Sequence, residues 1–318
     1  MKIVVLDGYC LNHGDLSWDA FRKLGKVTIY DRTPKDKVVE RAFDADIILI
    51  NKAVIDKNLI DALPSLKHIA VMATGYNVVD CDYARKKGID VSNVPSYGTE
   101  SVVQTVFSLI LELYIGSGEH NASVKSGQWS ACKDFCYYKR TLNEIAGKTL
   151  GIIGYGRIGK RVAQVALAFG AKVIAYNVDE QGKVSEGEHF VALDTLLRQA
   201  DIISLNCPLT AENKGMINAR TISLAKKDAI IINTARGPLI CEQDLADALN
   251  SGRIRGAGLD VLSQEPPAPD NPLLTARNTI ITPHIAWATQ EARIRLMDIL
   301  AANVAGAIKG EKLNIVNK

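Results

Sequence analysis

Short apolar runs alternate along this chain with longer stretches in which apolar residues recur every three or four positions. The short runs predict β-strands, and the longer stretches predict helices with one buried face. In the first part of the chain, strands are expected at residues 2–6, 26–30, 46–50, 68–71 and 90–92, with helices between them. Strands and helices that alternate in this way are typical of a parallel sheet.

A second series of the same kind starts near the middle of the chain. Its strands are expected at residues 149–153, 172–176, 201–206, 228–234, 256–261 and 279–282. A crossing segment near residues 97–101 leads into a long apolar helix. A last helical pattern, 289–307, is expected to return to the first domain and cover it. The sequence therefore predicts an α/β protein with two doubly wound, Rossmann-like parallel-sheet domains.

Three glycines with the spacing G-x-G-x-x-G follow the first strand of the second series. Gly154, Gly156 and Gly159 lie between that strand and a helix expected over residues 158–169. In dinucleotide-binding folds the first glycine permits a tight turn, the second lets the backbone approach a pyrophosphate, and the third lets the helix pack on the strand. The motif in this context predicts a dinucleotide site; the alternative is a glycine-rich turn in an α/β protein.

Composition and charge narrow the classes of function. A chain of 318 residues suits about two domains. The net charge of +3 is small, and the sequence has no block of basic residues, so it does not indicate binding to nucleic acid or to an anionic membrane. The six cysteines include no C-x-x-C pair, so we expect reduced thiols in a cytoplasmic protein and no metal site. The first residues predict a strand rather than a signal peptide, and the stretch 102–115 is too short to span a bilayer.

Histidine is the natural proton donor for hydride transfer with a nicotinamide dinucleotide. His284 directly follows the last expected strand, and the carboxyl ends of strands are where ligands meet open α/β sheets. A structural histidine at a strand end is the alternative. The other histidines are assigned to elements of the first domain or to polar, solvated segments: His13, His68, His120 and His189.

Charged residues follow two further strands of the same half. Arg236 comes after the strand expected at 228–234, and Glu265 comes soon after the strand at 256–261. An arginine can hold a carboxylate through two hydrogen bonds and polarise the adjacent carbonyl. A glutamate beside a histidine favours the protonated imidazolium. Each residue alone could form a surface salt bridge, but the three strand ends together favour a catalytic site.

Four motifs carry a resemblance to a known family. G-Y-G-R-I-G, N-T-A-R-G, L-D-V-L-S-Q-E-P-P and T-P-H-I-A-W, in this order, resemble the D-isomer-specific 2-hydroxyacid dehydrogenases. The segments V-L-D-G-Y, A-T-G-Y-N-V-V-D and P-S-Y-G-T-E-S-V are similar to the glycerate dehydrogenase (hydroxypyruvate reductase) branch. The resemblance covers essentially the whole chain. It implies a substrate domain of residues 1–98 and 286–318, an inserted dinucleotide domain of residues 99–285, an active site in the cleft, and a homodimer through the inserted domain.

The resemblance also implies a role for each catalytic candidate. Arg236 would bind the substrate carboxylate and polarise its carbonyl, Glu265 would hold and charge the imidazole, and His284 would donate the proton in reduction. The related formate dehydrogenases pair their histidine with glutamine, so the glutamate indicates a reaction with a proton relay. In the substrate domain, backbone N–H groups around Thr74 and Gly75 would hold the substrate carboxylate. Lys52 is a further candidate, with a solvated lysine as the alternative.

One position departs from the pattern of NAD-preferring members of the family. Where these carry an acid that binds the ribose hydroxyls, this chain has Asn177, which does not repel a 2′-phosphate. Lys183 and Arg157 are nearby, without a dedicated phosphate clamp. We expect NAD, with NADP as the alternative. The expected cofactor contacts are Gly154, Gly156, Arg157, Ile158, Gly159, Asn177, Cys207, Pro208, Thr234 and Asp260, the last accepting a hydrogen bond from the nicotinamide amide.

The expected activity is hydride transfer between the cofactor and a small 2-oxo or 2-hydroxy acid. Hydroxypyruvate and D-glycerate are the preferred candidate substrates because the N-terminal motifs are similar to the glycerate dehydrogenase branch. Glyoxylate, pyruvate or a branched 2-oxo acid would need the same arginine, glutamate and histidine. A different class is an NAD(H)-binding co-repressor that assembles partners; we see no recruitment segment at either end of this sequence.

Overall fold

The computed structural model of the chain describes residues 1–178 and 189–318. This part of the chain forms two compact units. The first consists of Met1–Gly98 and Ala288–Lys318, and the second of Thr99–Trp287. The second unit is thus inserted into the first along the sequence.

The first unit contains a parallel sheet in the order β2-β1-β3-β4-β5. Its strands are β1 (Lys2–Val5), β2 (Lys26–Ile29), β3 (Ile47–Ile50), β4 (His68–Val71) and β5 (Asp90–Ser92). Its helices before the crossing are α1 (Asp19–Arg22), α2 (Val38–Ala42), α3 (Lys57–Asp61) and α4 (Cys81–Lys86).

The central strands of this sheet are covered on both faces. Every residue of β3 and β4 is buried, and Ile48 and Ile50 belong to an apolar cluster with side chains of α2 and α3. The last helix of the chain (Gln290–Lys309) packs on β4 and α1. The predicted return of the C-terminal helix to the first domain is therefore confirmed.

The second unit contains a parallel sheet in the order β11-β10-β9-β8-β6-β7 within its described residues. Its strands are β6 (Thr149–Ile153), β7 (Lys172–Tyr176), β8 (Ile202–Leu205), β9 (Ile230–Asn233), β10 (Gly256–Leu259) and β11 (Thr279–Ile281). Its helices are α5 (Thr99–Ile115), α6 (Ser117–Lys125), α7 (Arg157–Ala168), α8 (Leu193–Gln199), α9 (Ala219–Leu224) and α10 (Glu242–Asn250); the C-terminal helix of the first unit is α11.

This second sheet separates two apolar clusters. Along β9, Ile230 and Ile232 belong to one cluster with α5 and α7, whereas Ile231 belongs to the other with α8 and α10. Helices on both faces explain why the strands are apolar at nearly every position. Both units are thus doubly wound α/β folds, as the sequence predicts.

The structure moves several helix boundaries by one or two residues and the start of α5 by three. The long helix α5 begins at Thr99 instead of residue 102, so the crossing segment is shorter than expected. Among the described residues, no single helix is long and apolar enough to cross a membrane. Only α5 and α6 taken together reach that length and composition, and they are bent by 56° at their junction.

His68 makes the stability of the first unit depend on pH. It lies in β4 with Nε2 at 2.8 Å from Ser92 Oγ, and burial lowers its pKa from 6.5 to about 4. The unfolded chain therefore takes up a proton near pH 6.5, whereas the folded chain does so only near pH 4, and stability falls as the pH decreases between these values. The loss is roughly 3 kcal/mol.

We expect the urea midpoint to fall between pH 7.5 and pH 4.5 by more in the wild type than in His68→Gln, which stays neutral. Other titrating groups are shared by the two proteins, so the difference between the two pH profiles isolates His68. Parallel profiles would show that His68 is not responsible.

Candidate active site

The turn between β6 and α7 has the geometry that the glycine motif predicts. Gly154 has a φ of +93°, and a Cβ there would lie 2.5 Å from the backbone nitrogen of Cys207. A Cβ on Gly159 would lie 2.2 Å from the carbonyl oxygen of Gly154. Around Gly156, by contrast, no described atom lies within 4 Å of an added Cβ. A phosphate can therefore approach the backbone at the start of α7, where the helix dipole favours an anion.

The side chain of Asn177 helps to hold this turn through a hydrogen bond to its backbone. It follows β7, and its Oδ1 accepts a hydrogen bond of 2.8 Å from the N–H of Tyr155. An aspartate could accept the same bond, so the residue type at this position changes the charge rather than the turn. Lys183, the other residue considered for a 2′-phosphate, lies outside the described residues.

Three more predicted cofactor contacts lie at the carboxyl ends of strands next to the turn. Cys207 and Pro208 follow β8, and Thr234 follows β9. Burial raises the pKa of the Cys207 thiol to about 11, so it is protonated at neutral pH. This agrees with a contact through shape and without thiol chemistry.

A buried asparagine shapes the loop that carries Arg236. Asn233 is the last residue of β9; its Oδ1 accepts from the N–H of Ala235 at 3.0 Å, and its Nδ2 donates to the carbonyl oxygen of Arg236 at 2.9 Å. The Arg236 side chain is exposed, and its guanidinium donates to the carbonyl oxygen of Ala235 at 2.7 Å. The loop is thus rigid at its base, and the guanidinium keeps donors for a ligand.

The loops that carry Arg236 and Glu265 are in direct contact. A Cβ on Gly237 would lie 2.0 Å from the carbonyl carbon of Leu262. Any side chain at position 237 would therefore push the two loops apart. The strands β9 and β10 that precede these loops are also neighbours in the sheet.

Glu265 and His284 form a hydrogen-bonded pair. His284 Nδ1 lies 2.6 Å from Glu265 Oε2, and both side chains are about one third exposed (34% and 30%). Glu265 Oε1 accepts a bond of 3.3 Å from the N–H of Leu262. An ionised carboxylate can only accept, so Nδ1 is the donor to an ionised Glu265, and Nε2 is then the nitrogen that can exchange a proton with a ligand.

Asp260 stabilises the turn that carries His284. Its carboxylate is 1% exposed and accepts from Thr282 Oγ1 and from the N–H groups of Ile285 and Ala286, at 2.5, 2.9 and 2.8 Å. Burial raises its pKa, and these bonds lower it. The predicted bond from Asp260 to the nicotinamide stays a prediction; the structure shows an additional, internal role.

His284 itself has an unusual backbone conformation. Its φ is +55°, in the left-handed region that few residues other than glycine adopt. Its N–H lies 2.8 Å from the carbonyl oxygen of Asp260, and its own carbonyl oxygen accepts from Trp287 Nε1 at 2.9 Å. Ser101 Oγ donates to the carbonyl oxygen of Ala286 at 2.6 Å. Such strain, held by several contacts, is typical of functional sites.

The predicted substrate contacts of the first unit lie at the carboxyl edge of its sheet. Thr74 and Gly75 follow β4; Thr74 Oγ1 donates to the carbonyl oxygen of Val94 at 2.9 Å. Lys52 follows β3 and has an exposed side chain. Within the described residues, no group of three or more His, Cys, Asp or Glu is placed to hold a metal ion.

Comparison with known proteins gives the family. The sequence profile of the D-isomer specific 2-hydroxyacid dehydrogenase, NAD binding domain, matches residues 107–286. The chain belongs to the D-isomer-specific 2-hydroxyacid dehydrogenases. It is therefore an oxidoreductase that uses a nicotinamide cofactor, which confirms the resemblance seen in the sequence motifs.

Similar dehydrogenases match most or all of the chain. A hydroxypyruvate reductase from Blautia hydrogenotrophica is 49% identical over 322 residues, with all of both chains covered. A glycerate dehydrogenase from Methylorubrum extorquens is 43% identical over 89% of each chain. The structure of a D-lactate dehydrogenase from Aquifex aeolicus with NAD and lactic acid has a TM-score of 0.81 and 31% identity, covering 100% of this chain and 99% of the other.

The dehydrogenase site contains supporting residues that the sequence did not indicate. Asn233 and Ser101 each bond to the backbone of a loop that carries a catalytic candidate. In the sequence, each shows only as a small polar residue at the end of a strand or near the start of a helix. His120, expected on a solvated face, is half-buried; its Nδ1 lies 2.8 Å from the carbonyl oxygen of Gly116, and its Nε2 accepts from the N–H of Lys139. That expectation was wrong because the segment after α6 folds back onto the helix.

Proposed function

We propose that this dehydrogenase reduces hydroxypyruvate to D-glycerate. The observation that carries the proposal is the His284–Glu265 pair, which supplies a proton donor on a strained turn at the same sheet edge as the Arg236 loop. The choice of hydroxypyruvate is supported by the reductase of that name, which is 49% identical over the whole chain.

In the proposed reaction, the chain supplies charge, orientation and one proton. When bound, the reduced nicotinamide supplies the hydride that reaches C2 of the 2-oxo acid. Arg236 holds the substrate carboxylate and polarises the carbonyl. His284 Nε2 donates its proton to the carbonyl oxygen as the alcohol forms, and Glu265 stabilises the imidazolium before that step.

We further propose that Thr74, Gly75 and Lys52 contact the substrate carboxylate from the first unit. Support comes from their position at the carboxyl edge of a parallel sheet, where ligands of open α/β folds bind. The exposed Lys52 ammonium would add attraction for an anionic substrate.

For the cofactor, we propose binding at the Gly154–Gly159 turn, with the pyrophosphate at the start of α7. The open backbone at Gly156 and the close contact between Gly154 and Cys207 support this placement. The other proposed contacts are Arg157, Ile158, Asn177, Pro208, Thr234 and Asp260.

We propose NAD as the preferred cofactor, with a modest margin over NADP. An uncharged residue at position 177 neither repels nor attracts a 2′-phosphate. Asn177→Asp adds a negative charge while keeping an acceptor for the Tyr155 N–H. We expect this change to raise the ratio of kcat/KM for NADH to that for NADPH by about tenfold, since a like charge a few ångströms away costs more than 1 kcal/mol. An unchanged ratio would show that position 177 does not sense the phosphate.

The test of the proposed function is a set of initial rates with NADH and small 2-oxo acids. We expect the highest kcat/KM with hydroxypyruvate, compared with glyoxylate, pyruvate and a branched 2-oxo acid. A higher value for glyoxylate would make this protein a glyoxylate reductase. Tight NADH binding without turnover of any 2-oxo acid would favour the co-repressor class.

We also propose a homodimer formed through the second unit. The segment after α6 exposes large aromatic side chains, with Phe135 89% exposed and Trp129 and Tyr138 more than half exposed. Trp129 Nε1 donates to the carbonyl oxygen of Phe135 at 3.0 Å, and Tyr137 Oη lies 2.7 Å from Ser123 Oγ. An ordered surface of this composition is typical of a subunit interface.

We propose that the protein works in a reducing compartment such as the cytoplasm. All six cysteines are free thiols in the structure. Free thiols persist where cellular reductants keep them reduced.

A further inference from the structure

Asp7 lies at the carboxyl edge of the first sheet, beside the ends of β1 and β3. It follows β1, whose neighbour in the sheet is β3, and the two strands are in register from Ile3 opposite Ile47. The N–H of Leu6 donates to the carbonyl oxygen of Leu49 at 3.0 Å. The Asp7 side chain therefore emerges beside the loop that follows β3, the loop that carries Lys52.

Three consecutive backbone N–H groups of this loop converge on the Asp7 carboxylate. Oδ2 accepts from Asn51, Lys52 and Ala53 at 3.0, 2.5 and 3.0 Å, and Oδ1 accepts from Asn51 at 2.8 Å. Successive N–H groups arranged in this way form a cradle for an anion. In this protein the anion is a side chain of the chain itself, so the cradle serves to fix the loop.

The loop after β3 is in turn bonded to the end of β4. Asn51 Nδ2 donates to the carbonyl oxygen of Met72 at 3.3 Å, and the N–H of Met72 donates to that of Ile50 at 2.7 Å. Further along, the N–H of Ile55 donates to the carbonyl oxygen of Val78 at 2.8 Å. The segment with Thr74 and Gly75 lies between these two connections, so both substrate loops are attached to one another.

The N–H groups around Asp7 stabilise its carboxylate in the charged form. Burial raises the pKa of Asp7, and the bonds from Lys52, Ala53 and Asn51 lower it. The Cys10 thiol donates to the carbonyl oxygen of Asp7 at 2.8 Å. The N–H groups offset the negative charge, which would otherwise repel an anionic substrate at this edge of the sheet.

We propose that Asp7 is a positioning residue for substrate binding: its carboxylate holds the loop of Lys52 and, through Asn51, the loop of Thr74 and Gly75. The inference rests on the proposed function of those loops. Asp7 itself does not touch the substrate, so its removal should weaken substrate binding and leave cofactor binding and the chemical step largely intact.

Asp7→Asn is the direct test. The amide keeps the shape of the carboxylate but is uncharged and has one acceptor oxygen, so it cannot accept at both the Oδ1 and Oδ2 positions, and the bonds that remain lose their charge assistance. We expect KM for hydroxypyruvate to rise about tenfold, the loss typical of one hydrogen bond to a charged group. The kcat should stay within about twofold of the wild type, because the proton donor is untouched. The Kd for NADH should not change.

Hydrogen exchange provides a readout that does not depend on turnover. We expect the amides of Lys52 and Ala53 to exchange at least about tenfold faster in Asp7→Asn. Should the wild type reduce none of the 2-oxo acids, the proposed function fails, and the exchange rates alone decide whether Asp7 anchors the loop.

Asp46→Asn is the matched control. Asp46 lies before β3, at the opposite edge of the same sheet, where it accepts from the Lys2 N–H and from Lys67 Nζ, both at 2.8 Å. Its replacement should lower stability without raising KM. Asn51→Ala is a second test variant: it keeps Asp7 but removes the bond to Met72, and it should also raise KM without lowering kcat.

An unchanged KM in Asp7→Asn, or an equal rise of KM in Asp46→Asn, would overturn the proposal. Unchanged exchange at Lys52 and Ala53 would do the same. If Asp7→Asn does not fold, an unchanged KM in Asn51→Ala overturns it.

Discussion

Replacing His284 with alanine is expected to lower kcat for the reduction of hydroxypyruvate by roughly 10²–10⁴-fold, the usual contribution of a positioned general acid. The Kd for NADH should stay within about twofold of the wild type, because the groups around Gly154 and Gly156 are untouched. Stopped-flow rates of NADH oxidation and fluorescence titration of NADH measure the two quantities.

The size of this effect follows from how firmly His284 is held. Its Nδ1 is bonded to Glu265 at 2.6 Å, and its backbone is fixed by Asp260 and Trp287. A water molecule that enters the space left by alanine lacks both the orientation and the charge of the imidazolium.

Glu265→Gln is the informative partner variant. Glutamine can still accept from Nδ1, but it does not stabilise a positive charge on the ring. We expect a smaller loss of kcat than in His284→Ala. Rates near those of the wild type in His284→Ala would remove His284 from the mechanism.

Arg236→Lys is expected to lower kcat/KM for hydroxypyruvate by roughly 10–10²-fold, the loss of one of two paired bonds. The guanidinium can donate two parallel bonds to a carboxylate, each charge-assisted bond contributing about 1.5–3 kcal/mol. Lysine keeps the charge but not the paired donors. Because the base of the loop is held by Asn233, the backbone should be unchanged in the variant.

Arg220→Lys is a suitable control for this measurement. Arg220 lies on α9 of the same unit and is exposed, with its partner Asp194 at 3.2 Å. Its replacement keeps the net charge and should leave kcat/KM unchanged. Equal losses in both variants, or no loss in Arg236→Lys, would contradict the role of Arg236 in binding the carboxylate.

The fold could be predicted because both sheets are built from local patterns. The strands β4, β5, β6 and β7 begin and end where the apolar runs do. The start of α5 was missed because Thr99 and Glu100 are polar and form its first turn at the surface, where hydrophobic periodicity gives no signal. Patterns of apolar residues locate the buried part of a helix more precisely than its ends.

The candidate catalytic residues could be proposed from the sequence because each follows a strand, and the carboxyl ends of parallel strands lie at one edge of the sheet. The residues that hold these candidates in place could not be proposed in this way. The bonds of Asp7 to Lys52 and of Ser101 to Ala286 join residues far apart in sequence, and they depend on strand order and on the side-chain conformations. The internal bonds of Asp260 are equally hidden, since sequence shows a carboxylate but not the direction in which it points.

The most direct test of the account is the product formed from hydroxypyruvate by the purified protein with NADH. We predict one D-glycerate for each NADH oxidised, identified by chiral chromatography against both enantiomers. L-glycerate as the product, or no oxidation of NADH in the presence of hydroxypyruvate, would contradict the account.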